Sequence, residues 1–417
     1  MANEFKTTPL NGWHRRQGAN MADFGGYNMP LWYETGVKKE HLSVLESVGI
    51  FDTTHMACVM VCGKDAFALL QLCHTRDLSN LNQGRCVYGA VLDENGNVID
   101  DAIVYKFNDI DYMVCVNAGM GGTIASHLNY NKKNMSVEID DLSDKLGKMD
   151  IQGKNSARIL SQLIKNPEKI FDKMPYFSFK GHFDKSSPLS AKVRLKDDNI
   201  PVLLSRSGYT GEFGFEVFID PEFIVKLWEN ILEIGEKYNI TACGLGARDS
   251  LRTGAVLPLS HQDIGHWKFI NHPWMFALPF NEEQIGFTKD FIGKDALLDA
   301  KIAKFTYPFA GENLRKVGSG EDSLVIDKNG NKIGKVLTCA TDMGISWYND
   351  KILSIATPCL PKNFKAKGIS CGFVLVDKKL NYGEKLILQE GKRKIKVTIL
   401  KDIRPDRTAR KKLSNFI

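Results

Sequence analysis

Ser207-Gly208-Tyr209-Thr210-Gly211-Glu212-Phe213-Gly214-Phe215-Glu216-Val217 falls into two halves with different backbone demands. The first interleaves glycine with hydroxyl-bearing residues, a turn-forming composition. In the second, Phe213, Phe215, Val217 and Ile219 recur at every second position, leaving Gly214 and Glu216 on the other face. A period of two specifies a strand. Gly214 clears space beside Glu216, so this carboxylate can approach a flat heterocycle and accept two parallel N–H bonds from an amidine-like edge, such as that of a pterin. A surface strand with a solvated glutamate is the alternative that this segment leaves open.

Upstream, the turn residues Asp93-Glu94-Asn95-Gly96 lead into Ile99-Asp100-Asp101-Ala102-Ile103-Val104-Tyr105. Ile99, Ile103 and Tyr105 lie on one face and Ala102 and Val104 on the other, so the strand is buried on both sides and the two aspartates point opposite ways. At least one carboxylate is then buried, which is costly unless it is paired, and a positioned aspartate is a candidate acid, base or electrostatic anchor. Strand-end aspartates capping turn amides are the alternative. Downstream, Cys243-Gly244-Leu245-Gly246-Ala247-Arg248-Asp249-Ser250-Leu251-Arg252 runs from glycines into a helix with two arginines. It lacks the dinucleotide fingerprint G-x-G-x-x-G. Arg248 can hydrogen-bond a ligand carbonyl or carboxylate, with an internal Arg–Asp salt bridge as the competing role.

The remaining patterns specify an α+β protein. An amphipathic helix is predicted near Val37 to Ser47, and Asp220-Pro221 opens another with Phe223, Ile224, Leu227, Trp228, Ile231 and Ile234 on one face. Gly-Lys-(Asp/Asn)-small recurs at Gly63, Gly153 and Gly293, each after an apolar pair and before an apolar helical run. These are strand-to-helix junctions in which Asp or Asn can cap the helix; the phosphate-loop spacing is missing. A second hairpin is signalled at Asp327-Lys328-Asn329-Gly330, and short strands dominate from about Phe305 onward, which predicts a separate β-rich C-terminal domain.

At 417 residues, two or three domains are expected. Charged residues at 25% and hydrophobic residues at 43% are ordinary for a soluble globular protein. The start of the chain shows no targeting pattern and no long apolar run occurs, so no membrane role is expected. Nine scattered cysteines without paired spacing suit a reducing cytoplasm; Cys58 and Cys62 are packing residues in a strand-like run. The net charge of +6 is local: ten Lys or Arg against two Asp between Lys392 and Lys412 make +8, so the rest sums to about −2. No nucleic-acid motif accompanies this patch, and a solvated edge, an acidic partner protein or a polyanionic ligand tail fits it better.

Taken in order, Thr8-Pro9-Leu10, Gly18-Ala19-Asn20-Met21, Phe24-Gly25-Gly26-Tyr27, Met29-Pro30-Leu31, Gly49-Ile50-Phe51-Asp52 with His55-Met56, Val98-Ile99-Asp100-Asp101, Val116-Asn117-Ala118, Ile151-Gln152-Gly153, Gly208-Tyr209-Thr210-Gly211-Glu212 and Gly244 to Arg252 resemble the aminomethyltransferase family, the T-protein of the glycine cleavage system. The resemblance runs from Thr8 to about Leu297, with weaker echoes at Gly334 to Thr338 and Gly368 to Val374. It implies a three-domain cloverleaf around a central folate site, closed by a C-terminal β-rich barrel domain. The implied division is 1–57 plus 146–243 as a discontinuous folate-binding domain, 58–145 plus 244–303 as a second α+β domain, and 304–417 with the basic tail. It also implies tetrahydrofolate as co-substrate, a lipoylated carrier of the H-protein type as partner, Asp100 as the catalytic aspartate and Glu216 as the pterin anchor. Further folate contacts fall on Met56, Tyr88, Asn117, Tyr209 and Arg248.

Three departures qualify that expectation. After Arg252 the family usually continues Leu-Glu-Ala-Gly, whereas Thr253-Gly254-Ala255-Val256 stands here without the glutamate. The family's Tyr-Gly-Gln-Asp becomes Ser260-His261-Gln262-Asp263. The following stretch to Phe276 is unusually aromatic, and Trp267, Phe269, Trp274 and Phe276 can box a methylated cation or pack a domain junction. His261, Asp263, His266 and His272 match no zinc spacing, so no metal is expected. The alternative activity is a folate-dependent demethylase or methyltransferase acting on a small sulfonium, amine or aryl ether. A non-catalytic folate-binding protein is disfavoured because its Lys-Gly-Cys-Tyr-x-Gly-Gln-Glu signature is absent, and a flavin-linked sarcosine or dimethylglycine oxidase because no nucleotide-binding segment is present.

Overall fold

The computed structural model describes residues 5–299 and 304–417. The hairpin predicted at Asn95-Gly96 joins the strands Arg85–Leu92 and Val98–Lys106, with Asp93 Oδ1 accepting the amides of Asn95 and Asn97 at 2.9 Å each. Asp327 does the same for the amides of Asn329 and Asn331 at 3.0 Å in the second hairpin. Val98–Lys106 is buried on both faces, as its composition requires. Ala102 and Val104 pack on the helices Ala66–Cys73 and Gly121–Asn131, and Tyr105 packs with Cys86, Met113 and Cys115 against Phe179, Leu203 and Phe218 of a second sheet.

Two sheets therefore meet face to face. One is five-stranded, in the order Arg85–Leu92, Val98–Lys106, Asp111–Val116, Ala57–Cys62, Glu138–Asp141. The other is six-stranded, in the order Phe179–Gly181, Leu203–Ser205, Gly214–Ile219, Gly147–Gln152, Gly49–Asp52, Thr241–Ala242. Phe213, Phe215, Val217 and Ile219 form the expected apolar row on the outer face of the second sheet, covered by the helices Ser156–Leu163 and Ile224–Gly235. Asp220 accepts the Glu222 amide at 3.0 Å, capping the 3-10 turn Pro221–Phe223 that leads into the latter. The predicted helix near Val37 runs over Gly36–Glu46. Beyond Phe305, six antiparallel strands close into a barrel around Phe309, Val325, Val336, Val374 and Leu388.

Several expectations are corrected. Asp65 and Asn155 precede their helices but cap neither. Asp65 accepts the Ser136 amide at 2.8 Å and Asn155 donates to Ser47 Oγ at 2.9 Å, because tertiary partners are within reach and outcompete the local turn. At the third junction no strand precedes Gly293, which itself takes the cap position at φ 85°. Phe269 and Trp274 are 1% and 2% exposed, wedged with Ile264 and Leu297 between Ala90, Leu92 and Val98 of the five-stranded sheet and Leu337 and Phe373 of the barrel. They pack a junction and leave no aromatic box; Phe276 alone of the four stands largely exposed, beside Tyr88.

The basic C-terminal stretch is an ordered strap. Arg404 is fully buried, Arg206 donates to the carbonyls of Ala409 and Lys411, and Phe416 stacks on Phe213 with ring centroids 4.0 Å apart. The division point at residue 303 and the first four residues scanned for targeting lie outside the described residues.

Candidate active site

A cavity of about 390 Å³ opens where the two sheets meet the helix Leu245–Gly254. Met56, Tyr88, Asn117, Tyr209, Glu216 and Arg248, all singled out in the sequence, line it together with His55, Asp101, Ile103, Arg252 and Gln262. Asp100 does not line it. The alternation of Val98–Lys106 decides this: Asp101 and Ile103, two residues apart, look into the cavity, and Asp100 lies on the other face with no exposed surface. Of the two carboxylates, that of Asp101 is the one bordering the cavity.

The two aspartates nonetheless converge on one partner. Asn117, at the end of the neighbouring strand, donates Nδ2–H to Asp100 Oδ1 at 2.7 Å and to Asp101 Oδ1 at 2.6 Å, and its backbone N–H to Asp100 Oδ2 at 2.9 Å. Tyr88 Oη donates to Asp101 Oδ2 at 2.9 Å. Burial, and then the adjacent Asp100, push the Asp101 carboxyl up to about 7; burial also raises Asp100. Two buried acids sharing an amide form one coupled proton-binding unit.

Glu216 faces the cavity but is already engaged. Its Oε1 accepts from Lys148 Nζ at 2.5 Å and its Oε2 from Ser207. Lys148 also donates to Asp150 Oδ1 at 2.8 Å, whose Oδ2 accepts from Arg248 Nη1 at 2.7 Å, and the Arg248 guanidinium lies 4.8 Å from the Tyr209 ring centroid. The result is a buried chain of alternating sign. Burial would strip Lys148 of its proton, but Asp150 and Glu216 outweigh it and hold the ammonium charged. Burial likewise opposes ionisation of Asp150, while Lys148 and Arg248 bring it down to about 2. Burial pushes His55 down to about 4, leaving it neutral.

Lys148 and Asp150 escaped the motif search, yet a signal was present: Lys148, Asp150 and Gln152 alternate with Met149 and Ile151, a polar face on an otherwise apolar strand. The space beside Gly214 is also not vacant for a heterocycle. A Cβ there would lie 2.6 Å from the Gln152 side chain, which donates to the carbonyls of Ser207 and Phe215.

After Arg252, the space beside Gly254 is already filled. A Cβ on Gly254 would stand 1.8 Å from Asp342 Oδ2, so a carboxylate from the barrel occupies the space where a side chain at 254 would begin. Asp342 accepts from Arg404 Nη1 at 2.5 Å and His41 Nε2 at 3.0 Å. Val256 and His261 hold left-handed backbone at φ 57° and 63°. That region is unfavourable for residues with a Cβ, above all a β-branched one. Asp263 pairs with Arg252 and accepts from Thr338 Oγ1 at 2.6 Å, and His272 Nδ1 accepts the Trp274 amide at 3.1 Å, so both are committed to structure. Among the described residues no three His, Cys, Asp or Glu side chains form a metal-binding group.

A cavity bordered by one carboxylate of a coupled pair, between two face-packed sheets and the helix Leu245–Gly254, is a setting suited to group transfer. The family model for the GCVT N-terminal domain matches residues 10–268. An aminomethyltransferase of Caldanaerobacter subterraneus subsp. tengcongensis is 36% identical over 334 residues, covering 80% of this chain and 83% of its own. The crystal structure of glycine cleavage system aminomethyltransferase T from Bartonella henselae shares the fold at a TM-score of 0.75 and 25% identity, over 95% of this chain and 97% of that one. The chain belongs to the aminomethyltransferase family.

Proposed function

We propose that this aminomethyltransferase binds tetrahydrofolate in the central cavity and takes its one-carbon unit from an aminomethyl group on the lipoyl arm of an H-protein-type carrier. One folate nitrogen and then a second bond the methylene carbon as its bonds to the amine and to sulfur break, and the two folate N–H protons leave with ammonia and with the thiol. Methylenetetrahydrofolate is the product. Neither relative named above points to the demethylase alternative.

The observation that carries this reading is Asp101, anchored by Tyr88 and Asn117 and turned into the cavity. Its carboxylate orients the folate nitrogen, accepts its proton and favours the positive charge developing on the departing amine. This gives Asp101 the role expected of Asp100. Glu216, fixed by Lys148 and Ser207, anchors the pterin with its remaining lone pairs, and Arg248 and Tyr209 flank it. The proposed division into three units, 1–57 plus 146–243, 58–145 plus 244–303, and 304–417, is supported by the separation of the six-stranded sheet, the five-stranded sheet and the barrel, although helix Leu245–Gly254 packs on Gly36–Glu46 and on the barrel strand Lys332–Asp342. Exposed Lys392, Arg393, Lys394, Arg410, Lys411 and Lys412 supply a basic surface for an acidic carrier.

Purified protein incubated with tetrahydrofolate and aminomethyl-loaded carrier is expected to release ammonia and methylenetetrahydrofolate together; methyltetrahydrofolate formed only from methyl donors would overturn the assignment. Glu216→Ala is expected to weaken tetrahydrofolate binding by about 10- to 100-fold, since charge-assisted hydrogen bonds to a ligand contribute roughly 1.5–3 kcal/mol. A titration of folate fluorescence checks this, and unchanged affinity would remove the anchor. Because Asp101 must be ionised to accept a proton and its carboxyl sits at about 7, kcat is expected to fall as pH drops through 7. A pH–rate profile flat down to pH 5 would contradict that role.

A further inference from the structure

Asp100 has no exposed surface, and the Asn117 groups that hold it are donors unable to take up a proton. A proton must nevertheless enter and leave the Asp100–Asn117–Asp101 unit if its charge is to be reset between turnovers. The titratable groups around Asp100 are few. Asp101 faces the cavity, and His261 brings Nε2 to 3.7 Å from Asp100 Oδ1 while its side chain stays 41% exposed. Of these, His261 is the one that spans the distance from the buried carboxyl to bulk solvent.

The backbone fixes that placement. Leu259 N–H donates to Asp263 Oδ2 at 3.0 Å and Gln262 Nε2 to Thr338 Oγ1 at 2.7 Å, so the loop is pinned on both sides of His261. Between the pins, residue 261 takes φ 63°, a conformation that glycine adopts freely and an imidazole-bearing residue does not. Nothing else in the loop uses the ring, so a strained position is filled by a side chain whose contact of note is with the acid pair.

We propose that His261 is a positioning residue that controls the protonation of the coupled Asp100–Asp101 pair by exchanging the Asp100 proton with solvent. The step is a plain proton transfer. The Asp100 O–H bond breaks, Nε2–H forms, directly or through one bridging water, and the imidazolium then releases its proton to bulk; uptake is the reverse. The charge left on Asp100 acts through the shared Asn117 amide on the basicity of Asp101 in the cavity. Burial lowers the imidazole below its ordinary value, Asp101 opposing and His266 reinforcing, so at neutral pH the ring is free to accept. Asp100 and Asp101 on the strand Val98–Lys106 and His266 in the same segment are the groups that face it.

This inference rests on the role given to Asp101, and the test separates the two. In His261→Gln, kcat is expected to fall about tenfold with the tetrahydrofolate KM within twofold, and the acid limb of the pH profile to move upward by roughly half a unit or more, because the imidazolium that favours ionised carboxylates at low pH is gone. His261→Gly is expected to raise Tm by relieving the left-handed backbone, to show the same kinetic defect, and to regain rate on addition of free imidazole, which a merely structural role would not produce. Proton NMR of the His261 ring should show its titration moving down in Asp100→Asn. If both His261 variants keep kcat within twofold and an unmoved acid limb, the inference is wrong while an active wild type leaves the folate site standing. A wild type without transfer activity would instead remove the site assignment itself.

Discussion

Asp101→Asn is expected to lower kcat by about 10²–10⁴-fold, the range for losing a positioned acid–base group, with little change in tetrahydrofolate KM. The substitution keeps the side-chain shape, so the asparagine carbonyl still accepts from Tyr88 or Asn117 and the strand pairing is untouched. What disappears is the proton acceptor in the cavity. Asp100→Asn separates the two acids. It withdraws the negative charge that helps push Asp101 up to about 7, so the acid limb of kcat should move to lower pH while kcat at pH 8 stays within about tenfold. Steady-state ammonia release across pH for both variants decides the matter. A dead Asp100→Asn beside an active Asp101→Asn would return the catalytic role to Asp100.

The second large effect falls on stability. Arg404→Met is expected to destabilise the fold by about 3–5 kcal/mol, the cost of leaving buried charges without their partner. Arg404 donates to Asp342 at 2.5 Å, to Glu212 at 3.2 Å, to the Leu251 carbonyl at 3.3 Å and to the Thr210 carbonyl, joining the strap, the barrel, the Thr210–Glu212 turn and the helix Leu245–Gly254. Burial opposes ionisation of Asp342, but Arg404 and His41 win and hold it well below the usual carboxylate range. A depressed carboxylate contributes stability above its unfolded value near pH 4 and loses it as pH falls further. Arg404→Met should therefore lower the urea midpoint at pH 7 and also flatten the decline in stability below pH 4. An unfolding free energy within about 0.5 kcal/mol of wild type would show that the strap is not held through Arg404.

The signals that proved legible were local ones. Alternation in Ile99–Tyr105 and Phe213–Ile219, the Asx turns at Asp93 and Asp327, and the apolar stripe from Phe223 to Ile234 each act over a few residues, and each element formed where its period placed it. Six of the seven residues singled out for the ligand converge on one cavity. The seventh, Asp100, lies behind the cavity wall that Asp101 forms, because a strand buried on both faces gives no internal sign of which face borders a cavity. The chain through Lys148 and Asp150 was written as a polar alternation, but its meaning depends on Glu216 and Arg248, 68 and 98 residues away.

By itself, then, the sequence determined the strands, hairpins and helices and the resemblance that the related proteins bear out, since period and turn chemistry are properties of neighbouring residues. Tertiary structure alone decided which aspartate borders the cavity and that Asp65 and Asn155 leave their helix ends for distant partners. It also decided that Asp342 stands in the space beside Gly254, and that the basic tail is a strap held by the interior arginines Arg404 and Arg206. Each of these is a competition among groups far apart in the chain for the same hydrogen bond or the same buried space, and its outcome is set only when the sheets and the barrel have closed upon one another.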